Sequence, residues 1–156
     1  MLPDKNALEV IPHKPPMALL TKILSSDSQR LTAEVHFSSE SLFFEPGKGV
    51  PTYIGLEYIA QAISAFNGIE IIEAGKSIQP GFLLGSRRVD IKTPFLPENT
   101  IVLVDVYMSF NEGGMVVFDG ALSLNDETLL TAKVNAFQPE DSVQFIQDAK
   151  TITNNL

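Results

Sequence analysis

One carboxylate stands out because of the helix-forming stretch around it. Glu57 is the only charged residue between positions 53 and 69. Gln61 and Ser64 follow it at i+4 and i+7, so all three lie on one stripe of a helix. A carboxylate beside apolar walls has its pKa raised by desolvation, which suits a general acid or base. The alternative is an ordinary solvated face, although such a face usually carries Lys and Glu pairs.

The two histidines are the other candidates for proton transfer. His13 lies in a segment stiffened by Pro12, Pro15 and Pro16. A rigid histidine of this kind is either pre-organised near a site or simply on the surface. His36 falls on the polar side of an alternating strand pattern and is most simply exposed, unless that side faces the mouth of a pocket.

The composition excludes several classes of protein. A chain of 156 residues is the size of one domain, and we take residues 1–156 as that domain. Without cysteine there is no disulfide, thiolate nucleophile or Cys-built zinc site. A net charge of −8 argues against nucleic acid and polyanionic membrane surfaces as partners. No Walker loop, HExxH, dinucleotide fingerprint or G-x-S-x-G elbow occurs, so no metal or cofactor is predicted.

The start of the chain and its apolar runs predict a cytoplasmic location. The sequence MLPDKNALEV lacks the basic patch and apolar core of a signal peptide. No apolar run reaches the roughly 18–20 residues that span a bilayer. Basic residues cluster locally at Arg87, Arg88 and Lys92, which are either exposed strand residues or a docking surface for an acidic partner. Gly85 in the same strand indicates a bulge or a close approach of a ligand.

The elements that position these residues follow from periodicity and breakers. A lead-in segment, 1–16, precedes two strand patterns, MALLTKIL and LTAEVHFS. One long helix is predicted from about 52 to 74, and a polar tail covers 140–156. Between them lie four more strands and two hairpin turns, at 111–114 and 125–127; the strands are GFLLGSRRVDI, TIVLVDVYMSF, MVVFDGALSL and LLTAKVNAF. The order predicts an α+β fold in which an antiparallel sheet of about six strands wraps around one helix.

Four segments in this order resemble a known family. They are IPHKPPMALLTKIL, VPTYIGLEYIAQA, GFLLGSRRVDIKTPFLPEN and VNAFQP, and together they span about residues 11–139. The sequence resembles the hot-dog fold dehydratases that act on 3-hydroxyacyl groups of acyl carrier protein, above all the dehydratase-like branch of aryl-polyene-type lipid clusters. The resemblance implies a homodimer or paired heterodimer with a continuous sheet and an acyl tunnel at the subunit interface. It also implies a Glu from one subunit working with a His from the other, and Glu57 matches that Glu.

The sequence departs from this family in the loop before the helix. The standard dehydratases carry their histidine there, whereas SSESLFFEPGKGVP has none. His13 is the best candidate to replace the missing loop histidine, and His36 and Glu45 are alternatives. The expected roles are therefore Glu57 as acid and a histidine as base, with Gln61 orienting Glu57.

The resemblance also assigns substrate contacts. A backbone N–H near Val50 or Gly55 would polarise the thioester carbonyl. The basic cluster Arg87, Arg88 and Lys92 would meet an acyl carrier protein or the phosphate of its pantetheine arm, and the sequence does not separate a carrier-protein substrate from a coenzyme A thioester. Two alternatives stay open: a thioesterase on the same fold that uses Glu57 alone, and a silent subunit that pairs with an active dehydratase.

Overall fold

A computed structural model describes residues 5–76, 82–137 and 142–154. A helix of 19 residues, α1 (Gly55–Glu73), follows a 3₁₀ turn at Thr52–Ile54, and a second helix, α2 (Ser142–Asn154), lies in the polar tail. The strands are β1 (Lys5–Asn6), β2 (Lys22–Ser26), β3 (Arg30–His36), β4 (Val50–Pro51), β5 (Phe82–Ile91), β6 (Phe95–Leu96), β7 (Ile101–Glu112), β8 (Met115–Leu124) and β9 (Glu127–Phe137).

Seven strands form one antiparallel sheet in the order β1-β2-β3-β7-β8-β9-β5, and β4 pairs with β6 in a separate short ladder. Two tight turns join the central strands, at Gly113–Gly114 and Asn125–Asp126, and all four of these residues have positive φ. Positive φ at both central residues matches the twist of a two-residue hairpin, which explains the glycines and asparagine there. In this order β1 and β5 are the two edge strands of the sheet.

The core lies between α1 and one face of the sheet. Strand residues alternate strictly: Val102, Val104 and Val106 of β7 are fully buried, while the residues between them are partly exposed. On the helix side, Phe66 packs edge-to-face against Phe118 of β8, with ring centroids 5.5 Å apart. The helix packs over β3, β7, β8 and β9, so its apolar surface is largely enclosed by the curled sheet.

This is the hot-dog architecture, and the predicted fold class is confirmed. The six predicted strands are all present, and the two-residue β1 joins them at the edge. The first predicted strand begins at Lys22 rather than Met17. The reason is that Met17 and Ala18 donate to Lys14 O in a turn and Leu19 donates to a side chain of α1, so these backbone groups are not available to the sheet. Neither described helix is long and apolar enough to cross a membrane.

Candidate active site

The start of α1 is fixed by close packing on the sheet. A side chain at Gly55 would collide with Leu122 of β8, so glycine is the residue that lets the helix begin this close to the strand. The Gly55 N–H donates to the carbonyls of Thr52 and Tyr53 in the preceding 3₁₀ turn. The predicted thioester contact of Gly55 would therefore compete with bonds already made. Val50, the other predicted contact, is buried and pairs with Leu96 in the short ladder.

Gln61 ties the helix to the segment that precedes β2. Its side chain is fully buried and accepts a hydrogen bond from Leu19 N at 2.8 Å. Its amide nitrogen donates to Met17 O at 2.7 Å and to Glu57 Oε1 at 3.0 Å. Because a backbone N–H can only donate, the Leu19 contact fixes which end of the amide is oxygen. The NH₂ group must therefore point at Glu57.

The same segment brings His13 to Glu57. His13 Nε2 lies 3.9 Å from Glu57 Oε1, although 44 positions separate the two residues in the chain. The segment is anchored on both sides of the histidine: Met17 by the Gln61 amide, and Val10 by its carbonyl, which lies so close to Gly68 that a Cβ there would collide with it. The histidine is thus held over the helix from two ends.

The exposure of the pair is intermediate. The side chain of Glu57 is 38% exposed and that of His13 is 29% exposed, so both reach solvent while resting on the fold. His13 Nδ1 is buried and has no hydrogen-bond partner among the described residues. No carbonyl or carboxylate of the described residues therefore fixes which ring nitrogen of His13 carries the proton.

The resemblance implies a Glu and a His from different subunits, whereas here His13 and Glu57 face each other within one chain.

The two alternative partners lie elsewhere. His36 is on the face of β3 that points away from α1, where its Nε2 lies 3.0 Å from Glu34 Oε1. Glu45 belongs to the loop before the helix and is 3.9 Å from Lys48 Nζ. No hydrogen bond or ion pair of the described residues joins either group to Glu57. The structure therefore brings together His13, Glu57 and Gln61 of the predicted set.

The basic cluster lies at the far edge of the sheet. Arg87, Arg88 and Lys92 are all exposed, and Arg88 Nε pairs with Asp90 Oδ2 at 3.3 Å. Gly85 coincides with an interruption of the β5–β9 register, which is the bulge that a glycine in a strand indicates. A second interruption follows between Ser86 and Arg88. These two interruptions shape the edge strand.

Two contacts that build the site were not anticipated from the sequence. The hydrogen bonds of the Gln61 side chain to Met17 and Leu19 join residues more than 40 positions apart. No local sequence pattern indicates such a bond. The close approach of Val10 to Gly68 had a visible signal, because glycine inside a helix costs about 1 kcal/mol relative to alanine. A glycine that persists at that cost indicates a neighbour with no room for a Cβ.

Comparison with known proteins gives one family match. The family model described as ApeP-like (ApeP dehydratase) matches residues 5–147. Among solved structures, the chain is similar to one described as the dehydratase heterocomplex ApeI:P from Xenorhabdus doucetiae, with 25% identity and a TM-score of 0.83. That alignment covers 94% of this chain and 97% of the other.

More distant structures share the fold alone. The uncharacterized protein PH1136 from Pyrococcus horikoshii has 14% identity and a TM-score of 0.66, over 92% of this chain and 99% of that one. The E. coli PaaI protein from the phenylacetic acid degradation operon has 8% identity and a TM-score of 0.58, over 74% of this chain and 81% of that one. The comparison with curated proteins gives no match.

Proposed function

The chain belongs to the ApeP-like dehydratase family, and on this basis we propose that it removes water from a 3-hydroxyacyl thioester in fatty-acid or polyene-type lipid synthesis. The observation that carries the proposal is the meeting of His13 and Glu57 beside the start of α1, with Gln61 holding the carboxylate. Elimination of water needs a base for the α-proton and an acid for the departing hydroxyl. The site supplies one group for each.

Glu57 is the proposed acid. Its Oε1 accepts the Gln61 amide proton, so the transferable proton sits on Oε2, the oxygen left free to meet the substrate hydroxyl. As the C3–O bond breaks, this proton completes a water molecule and leaves Glu57 as a carboxylate. Gln61 then stabilises that carboxylate through the same hydrogen bond. Gln61 is therefore a positioning residue that acts through Glu57.

His13 is the proposed base. In its neutral form Nε2 accepts the α-proton from C2 while the C2=C3 double bond forms, which leaves an imidazolium. The imidazolium then faces the carboxylate of Glu57 across the gap of 3.9 Å. Return of the proton from His13 to Glu57 restores both groups for the next cycle, so no other proton carrier is required.

The proposed partners follow from charge and from the family. Arg87, Arg88 and Lys92 form an exposed basic group on a chain of net charge −8, which suits an acidic carrier protein or the phosphate of a pantetheine arm. The thioester is carried by acyl carrier protein or by coenzyme A. The similar Xenorhabdus structure is a heterocomplex, and we propose that this chain likewise works as one half of a pair of hot-dog subunits, identical or mixed.

The experiment that tests the proposal is mass spectrometry of a 3-hydroxyacyl carrier protein after incubation with the purified chain. Loss of one water from the acyl group is the expected result. A second candidate, thioester hydrolysis, is favoured by one observation: the Glu57 side chain is 38% exposed and so accessible to an attacking water. Release of the free acid would establish that reaction and reject the dehydratase. An unchanged substrate would favour the silent subunit over both reactions for the chain alone, and the next step would be to find its partner.

A further inference from the structure

The imidazole of His13 lacks the hydrogen bond that usually orients a histidine base. Its Nδ1 is buried and has no partner among the described residues. An acid–base histidine is commonly oriented by a third group that bonds its second ring nitrogen. Because no group of those ranges does so here, the orientation of His13 depends on the backbone that carries it.

That backbone is tightly held on the N-terminal side of the histidine. Val10 and Ile11 are buried, with exposed fractions of 0% and 4%. The N–H groups of both donate to Ala7 O, at 3.1 and 3.2 Å, and Ala7 N donates to Thr21 O at 3.2 Å. Residues 7–11 are therefore tied to the core and to the start of β2, which limits their movement away from α1.

The contact between Val10 and α1 depends on the missing side chain of Gly68. A Cβ built on Gly68 would lie 1.9 Å from Val10 O and 3.1 Å from Val10 C. Since real Cβ atoms essentially never approach another atom within 3.0 Å, a larger residue would displace the Val10 backbone or the helix by about 1 Å. The atoms of Val10 in this contact are backbone atoms, so no change of rotamer relieves the collision.

Gly68 is remote from the reacting groups but lies on the same side of α1. It follows Glu57 by 11 positions, which is close to three full turns and about 16 Å along the helix axis. His13 is three positions after Val10, and three residues span at most about 11 Å when fully extended. The side chains of His13 and Glu57 must cover the rest. Little spare length therefore remains to absorb a displacement of Val10.

We propose that Gly68 is a positioning residue for proton transfer, acting through the Val10 backbone to hold the His13 imidazole at Glu57. The inference rests on the proposed function, in which His13 accepts the α-proton. A displacement of about 1 Å in a reacting group can cost about 10²-fold in rate. A displaced base lowers kcat with little change in KM, because the lost interaction is made only in the transition state.

Gly68→Ala is the direct test. We expect kcat for dehydration of a 3-hydroxyacyl carrier protein to fall by about 10²-fold, with KM within about 3-fold of the native value. Gly120→Ala is the matched control. Its Cβ would meet the Ile59 side chain at 2.6 Å, so it crowds α1 from β8 and not from the lead-in segment. This control should keep kcat within about 3-fold, and equal losses of kcat in the two variants would overturn the proposal.

Nuclear magnetic resonance tests the same inference without substrate. Because His13 Nε2 lies 3.9 Å from Glu57 Oε1, the native chain should show a nuclear Overhauser effect between the His13 ring and the Glu57 methylene protons. Gly68→Ala should lose this effect, whereas Gly120→Ala should keep it. An unchanged effect in Gly68→Ala would overturn the proposal. A native chain that does not dehydrate its substrate would reject the proposed function, and this comparison would still decide whether Gly68 positions His13.

Pro12→Gly serves as a second variant if Gly68→Ala does not fold. Pro12 is exposed and lies between Val10 and His13, so glycine there frees the backbone beside the imidazole without changing the core. We expect kcat to fall by about 10-fold and the nuclear Overhauser effect to weaken. A native kcat together with a native nuclear Overhauser effect would show that this backbone does not orient His13, which contradicts the proposal.

Discussion

Two histidine–glutamate pairs occur among the described residues, and they differ in position, distance and surroundings. His36 and Glu34, the outer pair, lie two positions apart on β3, with Nε2 and Oε1 separated by 3.0 Å, on the face that points away from α1. His13 and Glu57, the inner pair, come from two distant segments, and His13 Nε2 lies 3.9 Å from Glu57 Oε1. Beside the closer pair, His36 N donates to Thr21 Oγ1 at 2.9 Å, which is a contact of the backbone and not of the imidazole ring. The longer one is joined to Gln61, which in turn holds two backbone groups.

A short distance between two titratable groups does not by itself identify a catalytic site. A pair on one strand requires only that side chains two positions apart point to the same face, and ion pairs at a protein surface contribute about 0–1 kcal/mol. The His13–Glu57 pair depends on the contacts of Val10, Met17 and Leu19 with α1. A set of long-range contacts that holds two titratable groups face to face is the arrangement that acid–base catalysis requires.

The largest expected difference between the pairs is at the two glutamates. Glu57→Gln keeps the size of the side chain but removes the transferable proton, so we expect the dehydration rate to fall by about 10²–10⁴-fold. Glu34→Gln is the matched control and should leave the rate within about 2-fold. The rates are measured by mass spectrometry of the acyl carrier protein. Full activity of Glu57→Gln would show that the stripe on α1 is only a solvated face.

The next expected difference is at the two histidines. His13→Ala removes the proposed base and should slow dehydration by about 10²-fold, the lower end of a general-base contribution. His36→Ala removes only the outer pair and should change the rate by less than about 2-fold. Circular dichroism should show the native fold in both variants. A larger loss in His36→Ala than in His13→Ala would reverse the assignment and place the base on the outer face of β3.

Gln61 distinguishes the pairs in a different way, because it joins Glu57 of the inner pair to two backbone groups. Gln61→Leu leaves Met17 O and Leu19 N without their partner, which should lower the free energy of unfolding by about 2–4 kcal/mol. It should also reduce kcat, since Glu57 loses its positioning bond. Ser64→Ala, one turn further along the same stripe, is the control and should change stability by less than about 0.5 kcal/mol. Urea unfolding measures the first effect, and unchanged stability would show that the tie is not structural.

The fold was predictable because its elements are locally encoded. The alternation in β7 and β9 and the hairpin turns at 113–114 and 125–126 depend on residues within a few positions of each other. The start of β2 was misplaced for the opposite reason: MALLTKIL has strand composition throughout, but the backbone of Leu19 is held by Gln61 of α1. A tertiary contact overrode local preference there.

The site was predictable only in part. Glu57 was identified by its isolation in an apolar helix, and His13 by its rigid segment and its resemblance to the family. Their meeting within one chain required the approach of Val10 to Gly68, which depends on packing between segments and leaves only the helical glycine as a trace in the sequence. The catalytic roles of both residues remain predictions until the variants are measured.

The smallest expected effect concerns the burial of α1, the helix that carries Glu57 of the inner pair. Tyr58 follows Glu57 but is only 2% exposed, and burial raises its pKa from 10.0 to about 12. The folded state thus favours the protonated phenol. The corresponding stability is fully present below pH 10 and is lost as the pH rises from 10 towards 12. Two pKa units correspond to about 2–3 kcal/mol over that window.

Tyr58→Phe should therefore flatten the alkaline fall in the free energy of unfolding by about that amount, as measured by urea unfolding at pH values between 9 and 12. Tyr53, 61% exposed and ahead of α1, is the control, because Tyr53→Phe should keep the native slope. The other titratable groups are the same in all three proteins, so their contributions cancel in the comparison. If the free energy of unfolding fell equally with pH in Tyr58→Phe and in the native chain, water would reach the Tyr58 hydroxyl within α1. The helix beside Glu57 would then be as accessible to solvent as the strand that carries His36.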